Sequence, residues 1–407
     1  MSSVETSVVR RGAPGAPPVA ARIVLSILRR LEHGHLVVTL PDGSRREFGA
    51  GAPAASIAFR DWSAFAATLA SGDVGFGEAY VDGKWHTGDL AGLLGLLAAN
   101  RDAIDRAVYG GFWGGLAHRV RHWLNANTRR GSRRNIAAHY DLGNDFYALW
   151  LDPSMTYSSA LFAGHTARDL ESAQRAKYRR VLARLAPRPG DHILEIGCGW
   201  GAFAELAARE HGCRVTGITL STEQLAYARE RVRAAGLAGR VAIELTDYRD
   251  LRGAFDHVVS IEMVEAVGER YWPAYFAAIA RALRPAGRAV IQAITIDDRL
   301  FARYRSGTDF IQQHVFPGGM LPSPARFRAE AGRAGLAVAD AYAFGADYAE
   351  TLRRWRQAFL RRLPEVRALG YDERFVRLWE FYLAYCEAGF ATRCTDVFQF
   401  ELSRRSA

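Results

Sequence analysis

The chain has 407 residues, 49% hydrophobic and 24% charged, an ordinary globular composition with length for one large or two medium domains. Its formal charge of +10 points to an anionic partner, a membrane surface or a nucleic acid, without choosing between them. Four cysteines, Cys198, Cys213, Cys386 and Cys394, lack paired spacing, which excludes a disulfide scaffold and a cysteine metal cluster and fits a reducing cytoplasm. No apolar run approaches the roughly 20 residues of a spanning helix.

Residues 1–20 are rich in Gly, Pro and Ala without an apolar signal core, and read as a disordered tail. A helical pattern runs from Ala20 to Leu31. Leu36 to Leu40, a Pro41-Asp42-Gly43 turn and Arg46-Glu47-Phe48 read as a hairpin. Ile57-Ala58-Phe59 reads as a strand, Trp62 to Ala70 as a helix, and Val74 to Tyr80 as a glycine-punctuated loop and helix start. Residues 21–125 thus form a small α+β unit, expected to bind lipid or substrate rather than react. Between Arg119 and Asn135 there is no acid, and arginines interleave with Trp113 and Trp123 nearby. That segment is either a solvated linker or a membrane-surface stripe. His139 to Ala160 alternates polar and aromatic residues and reads as a loop-rich lid; Leu170 to Leu185 reads as a helix.

His192-Ile193-Leu194-Glu195-Ile196 then runs into Gly197-Cys198-Gly199-Trp200-Gly201, followed by a helical segment to His211. This is strand, tight glycine turn and helix, with free N–H groups of the helix start facing the turn. The G-x-G-x-G spacing differs from the dinucleotide G-x-G-x-x-G and resembles motif I of S-adenosylmethionine (SAM)-dependent methyltransferases. Further strands are expected at Arg214 to Leu220, Val241 to Leu245, Phe255 to Ile261 and Arg288 to Ile294. Ser221 is placed to cap the next helix, with Gln224 at a capping-box spacing. The β-α alternation predicts a doubly wound, Rossmann-like parallel sheet with ligands at the strand C-termini and a helical lid. Thr351 to Arg362 reads as a basic helix that lies either on a membrane or in solvent.

Six segments, HYDLGNDFYALWLDPSMTYSSALF, EIGCGWG, GITLSTEQ, SIEMVEAVG, DFIQQHVFPGGMLPS and LWEFYLAYCEAGF, together resemble the cyclopropane-fatty-acyl-phospholipid synthase family, which includes the mycolic acid cyclopropane synthases. The resemblance covers roughly residues 130 to 400. It implies a methyltransferase domain over 126–407, a SAM cofactor and an unsaturated acyl chain of a membrane phospholipid as substrate. It also implies a cytoplasmic enzyme peripheral on the inner face of the membrane, with anionic lipids as partners and a homodimer as one option. No metal is implied.

For the cofactor, the resemblance implies Tyr157 and Ser158 on the lid, Gly197, Cys198 and Gly199 at the methionine moiety, Thr219, Leu220 and Gln224 near the ribose, and Asp247 and Tyr248 near adenine. For the chemistry it implies a bound bicarbonate, held by Glu265, Tyr348, Gln292 and the main chain at Ser159 and Ile294, that deprotonates a substrate carbocation to close a cyclopropane. Many members have His where this chain has Gln292 and Cys where it has Ser159. An amide can donate to an anion but does not titrate near neutral pH. The alternative is the same methyl transfer ending in a methylene or methyl branch. A nucleic-acid methyltransferase is disfavoured, since no Asn/Asp-Pro-Pro-Tyr/Phe motif occurs.

Overall fold

The computed structural model of the chain describes residues 16–108 and 142–405. The start of the tail, the Arg119–Asn135 stripe, His139 and Asp141 lie outside the described residues. Two compact units are formed, one by residues up to Asp89 with the segment after Asn100, the other by Leu90–Ala99 with the chain from Trp113.

In the smaller unit, β1 (Gly34–Thr39) pairs antiparallel with β2 (Arg45–Ala50) as the expected hairpin, and parallel with β3 (Ala54–Phe59). A short β4 (Trp85–His86) completes the order β2-β1-β3-β4. Leu36, Val38, Ile57 and Phe59 alternate inward, as period-two patterning requires. Val74 to Tyr80, expected as a loop and helix start, is helix throughout. Ser63–Val81 is a helix with one break at Gly72 (φ 59°). Beyond the break Gly75 lies against the Ala67 carbonyl, where a Cβ would stand 2.0 Å from the oxygen.

The larger unit holds β5 (His192–Ile196), β6 (Arg214–Thr219), β7 (Val241–Leu245), β8 (Phe255–Ile261) and β9 (Leu283–Ile296) as parallel neighbours. Two strands not expected from sequence, β10 (Leu336–Ala343) and β11 (Thr395–Arg404), add antiparallel beyond β9. The order is β10-β11-β9-β8-β5-β6-β7. The doubly wound methyltransferase-type sheet is therefore as expected. The winding direction reverses between β5, β6 and β8, so the C-terminal ends of those strands open a crevice, the usual ligand position in such sheets.

A layer of aromatic side chains lies beside that crevice. Phe146, Tyr147 and Trp150 come from the lid, Trp355 from the helix Gly345–Arg361 and Trp379 from the helix Glu373–Ala391, all buried. Trp150 meets Trp355 at 5.7 Å and Trp379 at 5.9 Å between ring centroids, with steep interplanar angles. Such edge contacts suit the ring quadrupoles and fix the walls in one arrangement.

The basic helix is not a free stripe. Arg353 and Arg354 share Glu350, Arg356 pairs with Glu387, and Arg354 also donates to the carbonyls of Thr166 and Arg168. Arg354 and Arg356 tie the helix to the fold. No helix among the described residues is long and apolar enough to cross a membrane.

Candidate active site

At the C-terminal ends of β5, β6 and β8 lies a half-open cleft of about 960 Å³, counting its mouth. Tyr157, Ser158, Gly197, Cys198, Gly199, Thr219, Leu220, Gln224 and Tyr248 line it. Of the ten residues expected at the cofactor, only Asp247 is not in the wall. Its carboxylate turns to Arg249, which donates from Nε at 2.8 Å and Nη2 at 2.6 Å, and Thr246 takes its place on the surface.

The turn is built for close approach. Gly197 (φ 81°) and Gly199 (φ 52°) occupy the left-handed region. A Cβ on Gly197 would press Met263 at 3.0 Å, while one on Gly199 would project into open space. Ser221 caps the helix Thr222–Ala234 by accepting from the Gln224 N–H at 3.2 Å. The Gln224 side chain does not complete a capping box. Its Oε1 accepts instead from the Thr219 hydroxyl at 2.9 Å, so both groups face the cleft together.

Glu195, absent from the expected set, stands at the end of β5 in the cleft wall. Its Oε2 is buried with no hydrogen-bond partner among the described residues, and burial pushes its carboxyl well above the usual range. An open acceptor on the floor, a glycine turn beside it and a hydroxyl-amide pair on β6 fit a ligand with an ammonium end and a sugar.

The second cluster adjoins the first and departs from expectation. Ser159, Gln292 and Tyr348 converge, but on Glu262 rather than on a space beside Glu265. Glu262 Oε1 accepts from Ser159 N at 2.9 Å and Gln292 Nε2 at 2.7 Å, and its Oε2 accepts from the Tyr348 hydroxyl at 2.6 Å. Glu265 lies apart from these three donors and accepts from the Ile294 N–H. Three of the donors expected around a bicarbonate thus meet a protein carboxyl, Glu262, in this structure.

Glu262 has φ 52°, a conformation that L side chains rarely adopt. A glutamate held there costs on the order of 1 kcal/mol or more, and such strain concentrates at functional positions. The sequence offered one cue, an acid three residues before Glu265 at the end of β8. Its backbone conformation was not legible.

Glu262 lines the cleft and both residues are partly exposed, yet burial dominates the acidity of both carboxyls. It raises Glu262, with the Lys177 charge and the three donors opposing. It pushes Glu265 up to about 8, with the neighbouring Glu262 adding to the rise. The fold thus favours the protonated form of Glu265 near neutral pH, while Glu262 is the carboxyl on which the donors converge.

Beside it stands Lys177, also missed, on the helix Leu170–Leu185; burial, with Glu262 opposing, lowers its pKa to about 7. It is fully buried and donates to the Ser158 hydroxyl at 2.5 Å. The same helix grips the lid through Gln174 Nε2 to the Ser158 carbonyl at 2.8 Å and Tyr178 to the Thr156 hydroxyl at 3.0 Å. On the far side, the Tyr157 and Tyr382 hydroxyls meet at 2.6 Å. The lid segment Thr156–Ser159 is thus pinned between cofactor cleft and carboxylate.

Comparison with known proteins agrees with this construction. Residues 127–400 match the family model of mycolic acid cyclopropane synthetase. The chain is 43% identical over 351 residues to tuberculostearic acid methyltransferase UfaA1 of Mycobacterium tuberculosis, covering 82% of this chain and 79% of that protein. It is 35% identical over 359 residues to cyclopropane-fatty-acyl-phospholipid synthase of Escherichia coli K12, covering 87% and 89%. Among solved structures, mycolic acid cyclopropane synthase CmaA1 complexed with SAH and CTAB superposes with TM-score 0.63 at 31% identity, over 67% of this chain and 98% of that one. The chain belongs to the mycolic acid cyclopropane synthetase family of SAM-dependent methyltransferases.

Proposed function

We propose that this enzyme transfers a methyl group from SAM to the cis double bond of an unsaturated fatty acyl chain of a membrane phospholipid, with Glu262 as the proton acceptor. The observation that carries the reading is the Glu262 carboxylate, held by three donors between the cofactor cleft and the aromatic layer. When bound, SAM supplies an electrophilic methyl on a sulfonium. The Gly197–Gly199 turn and Glu195 would hold its methionyl end, Thr219 and Gln224 its ribose, and Thr246 and Tyr248 its adenine side, under Tyr157 and Ser158.

The alkene carbon that takes the methyl leaves its neighbour as a carbocation. Tyr157, Trp150 and Trp355 present ring faces and edges that exclude water, which would otherwise trap the cation as an alcohol. Ring faces also favour a nearby positive charge. A proton must then leave the added methyl. Glu262 Oε1 already accepts two hydrogen bonds and Oε2 one, so Oε2 keeps the lone pair for that proton. Burial raises its pKa, which makes its ionised form a stronger base than an exposed carboxylate.

Two products share this base. If the methyl carbon bonds to the cationic carbon as its proton leaves, a cyclopropane forms. If hydride first moves from the methyl-bearing carbon to the cationic one, the same methyl loses its proton to give an exocyclic methylene, open to later reduction. The higher identity to a protein named as a methyltransferase than to a named cyclopropane synthase favours the branch, and Glu262 in place of a free anion accords with it. Cyclopropane formation remains the second reading, supported by the family model and the Escherichia coli relative.

The test is expression in a bacterial host that makes neither product, followed by lipid analysis. Acyl chains heavier by one methylene group are expected in phospholipids, with vinylic proton signals for the branch and high-field ring signals for the cyclopropane. Phospholipids of unchanged mass would refute the assignment.

A further inference from the structure

Behind the Glu262 carboxylate, Gln292 and two side chains outside the recognised motifs, Arg180 and Gln399, form a line of hydrogen bonds. Arg180, on the helix Leu170–Leu185, donates from Nη1 to Gln399 Oε1 at 2.7 Å. Gln399 Nε2 donates to Gln292 Oε1 at 3.0 Å. Gln292 Nε2 donates to Glu262 Oε1 at 2.7 Å. Strand register makes the middle link, because β11 runs antiparallel to β9 with Gln399 directly opposite Gln292.

The direction of the line follows from its ends. A guanidinium can only donate and a carboxylate can only accept. The oxygen of Gln399 must face Arg180, which turns its amide nitrogen to Gln292. That nitrogen also reaches the Lys177 carbonyl at 3.5 Å, a second acceptor that agrees with the assignment. Gln292 must then offer its oxygen to Gln399 and its nitrogen to Glu262. Gln292 and Gln399 are almost fully buried, at 0% and 1% exposure, so water does not compete for either orientation.

We propose that Arg180 and Gln399 are positioning residues for proton removal: they set the direction of the Gln292 amide, so that it presents N–H and not C=O to Glu262. The proposal rests on Glu262 being the base. An amide has nearly the same shape either way round, so packing alone does not select the productive one. In the reversed orientation an amide oxygen faces the carboxylate. That favours protonated Glu262, which can no longer accept a proton.

The groups that act on Glu262 are Lys177 from the helix behind the lid, Tyr348 from the helix Gly345–Arg361, Glu265 from the short helix Val264–Val267, and Asp152 and Glu195 through their shared neighbour Lys177. Arg180 faces Asp340 at 3.6 Å and the Tyr342 ring at 4.0 Å. None of these changes in the variants below except Arg180 itself.

The decisive variant is Gln399→Glu. A carboxylate still accepts from Arg180 but cannot donate to Gln292, so the line breaks polarity at its centre. SAH release is measured on vesicles of dioleoyl phospholipid from pH 6 to 9.5. Q399E is expected to lose at least thirtyfold in kcat at pH 7, with the acid limb of the kcat profile displaced upward by a pH unit or more. KM for SAM stays within threefold. R180M moves the limb the same way by less, and R180K keeps it near wild type. The displaced Glu262 titration is also read without turnover, as the carboxylate infrared difference between each variant and the same variant carrying Glu262→Gln.

An acid limb of Q399E coincident with wild type, at any level of activity, overturns the proposal. Should Q399E not fold, Q399M removes the director without adding charge, and an unmoved limb there overturns it equally. E262Q is assayed in parallel. Full turnover by E262Q removes the base assignment itself, whereas inactive E262Q with an unmoved Q399E limb removes only the relay.

Discussion

The Tyr348 hydroxyl donates to Glu262 Oε2 at 2.6 Å across 86 residues of sequence, joining the helix Gly345–Arg361 to the end of β8. Among the described residues it is the sole donor on the oxygen assigned to receive the proton. Hydrogen bonds to charged groups contribute about 1.5–3 kcal/mol. Tyr348→Phe removes that support for the ionised form and keeps the ring contacts with Phe390 and Trp355. The expected result is a ten- to hundredfold loss in kcat at neutral pH, with part of it regained at higher pH. KM for SAM should not move, and a loss confined to KM would contradict the assignment.

Glu262→Gly tests the base and its backbone together. At φ 52° glycine relieves about 1 kcal/mol of strain, which offsets part of the stability lost with the three hydrogen bonds to the carboxyl. It also leaves the Ser159 N–H, the Gln292 amide and the Tyr348 hydroxyl facing an empty space the size of a small carboxylate. Turnover should fall at least a thousandfold. Added formate, acetate or bicarbonate should restore part of it in proportion to concentration. Activity without any added anion would show that another group takes the proton.

How far the sequence carried this picture depends on the kind of signal. The parallel sheet was legible because each strand from β5 to β9 is a compact apolar run between punctuating turns, and the cofactor cleft because its segments resemble those of a known family. β11 was not legible. Val397, Phe400 and Leu402 are buried core residues there, but Gln399 and Glu401 are buried as well, so the expected alternation is broken by polar groups whose partners come from distant strands and helices. The convergence of donors on Glu262 was not legible for a related reason. Both acids stand at a strand end beside the same motif, and only the left-handed backbone at Glu262 turns its side chain onto the donors. Lys177 lay inside an ordinary-looking helix, where a lysine is normally exposed.

Glu265 gives a stability signature separable from catalysis. Its folded-state pKa, about 8, lies above the ordinary 4.5, so the fold favours the protonated acid. That contribution is complete below about pH 4.5 and is lost as the pH rises through 8. A tenfold difference in proton affinity between the folded and unfolded chain corresponds to about 1.4 kcal/mol, an upper bound here because the site opens to the cleft. Glu265→Gln cannot ionise and should flatten this dependence. Urea unfolding at pH 5, 6.5 and 8 is expected to show wild type losing stability relative to E265Q across the series. Parallel curves would mean that Glu265 is already ionised in the fold.

The pair of Arg356 and Glu387 distinguishes a structural role for the basic helix from a lipid-binding one. Nε donates to the carboxylate at 2.9 Å, with side chains only 15% and 13% exposed, and the bridge joins the helices Gly345–Arg361 and Glu373–Ala391. Removing one partner leaves the other charge walled in, a change that costs about 3–5 kcal/mol when burial is complete and less at this exposure. Arg356→Ala should therefore lower the unfolding midpoint by several degrees, and the double variant with Glu387→Ala should recover part of the loss. Binding to anionic phospholipid vesicles should be the same in all three proteins. If R356A instead keeps its stability and loses vesicle affinity, the arginine faces lipid and the ion pair is incidental.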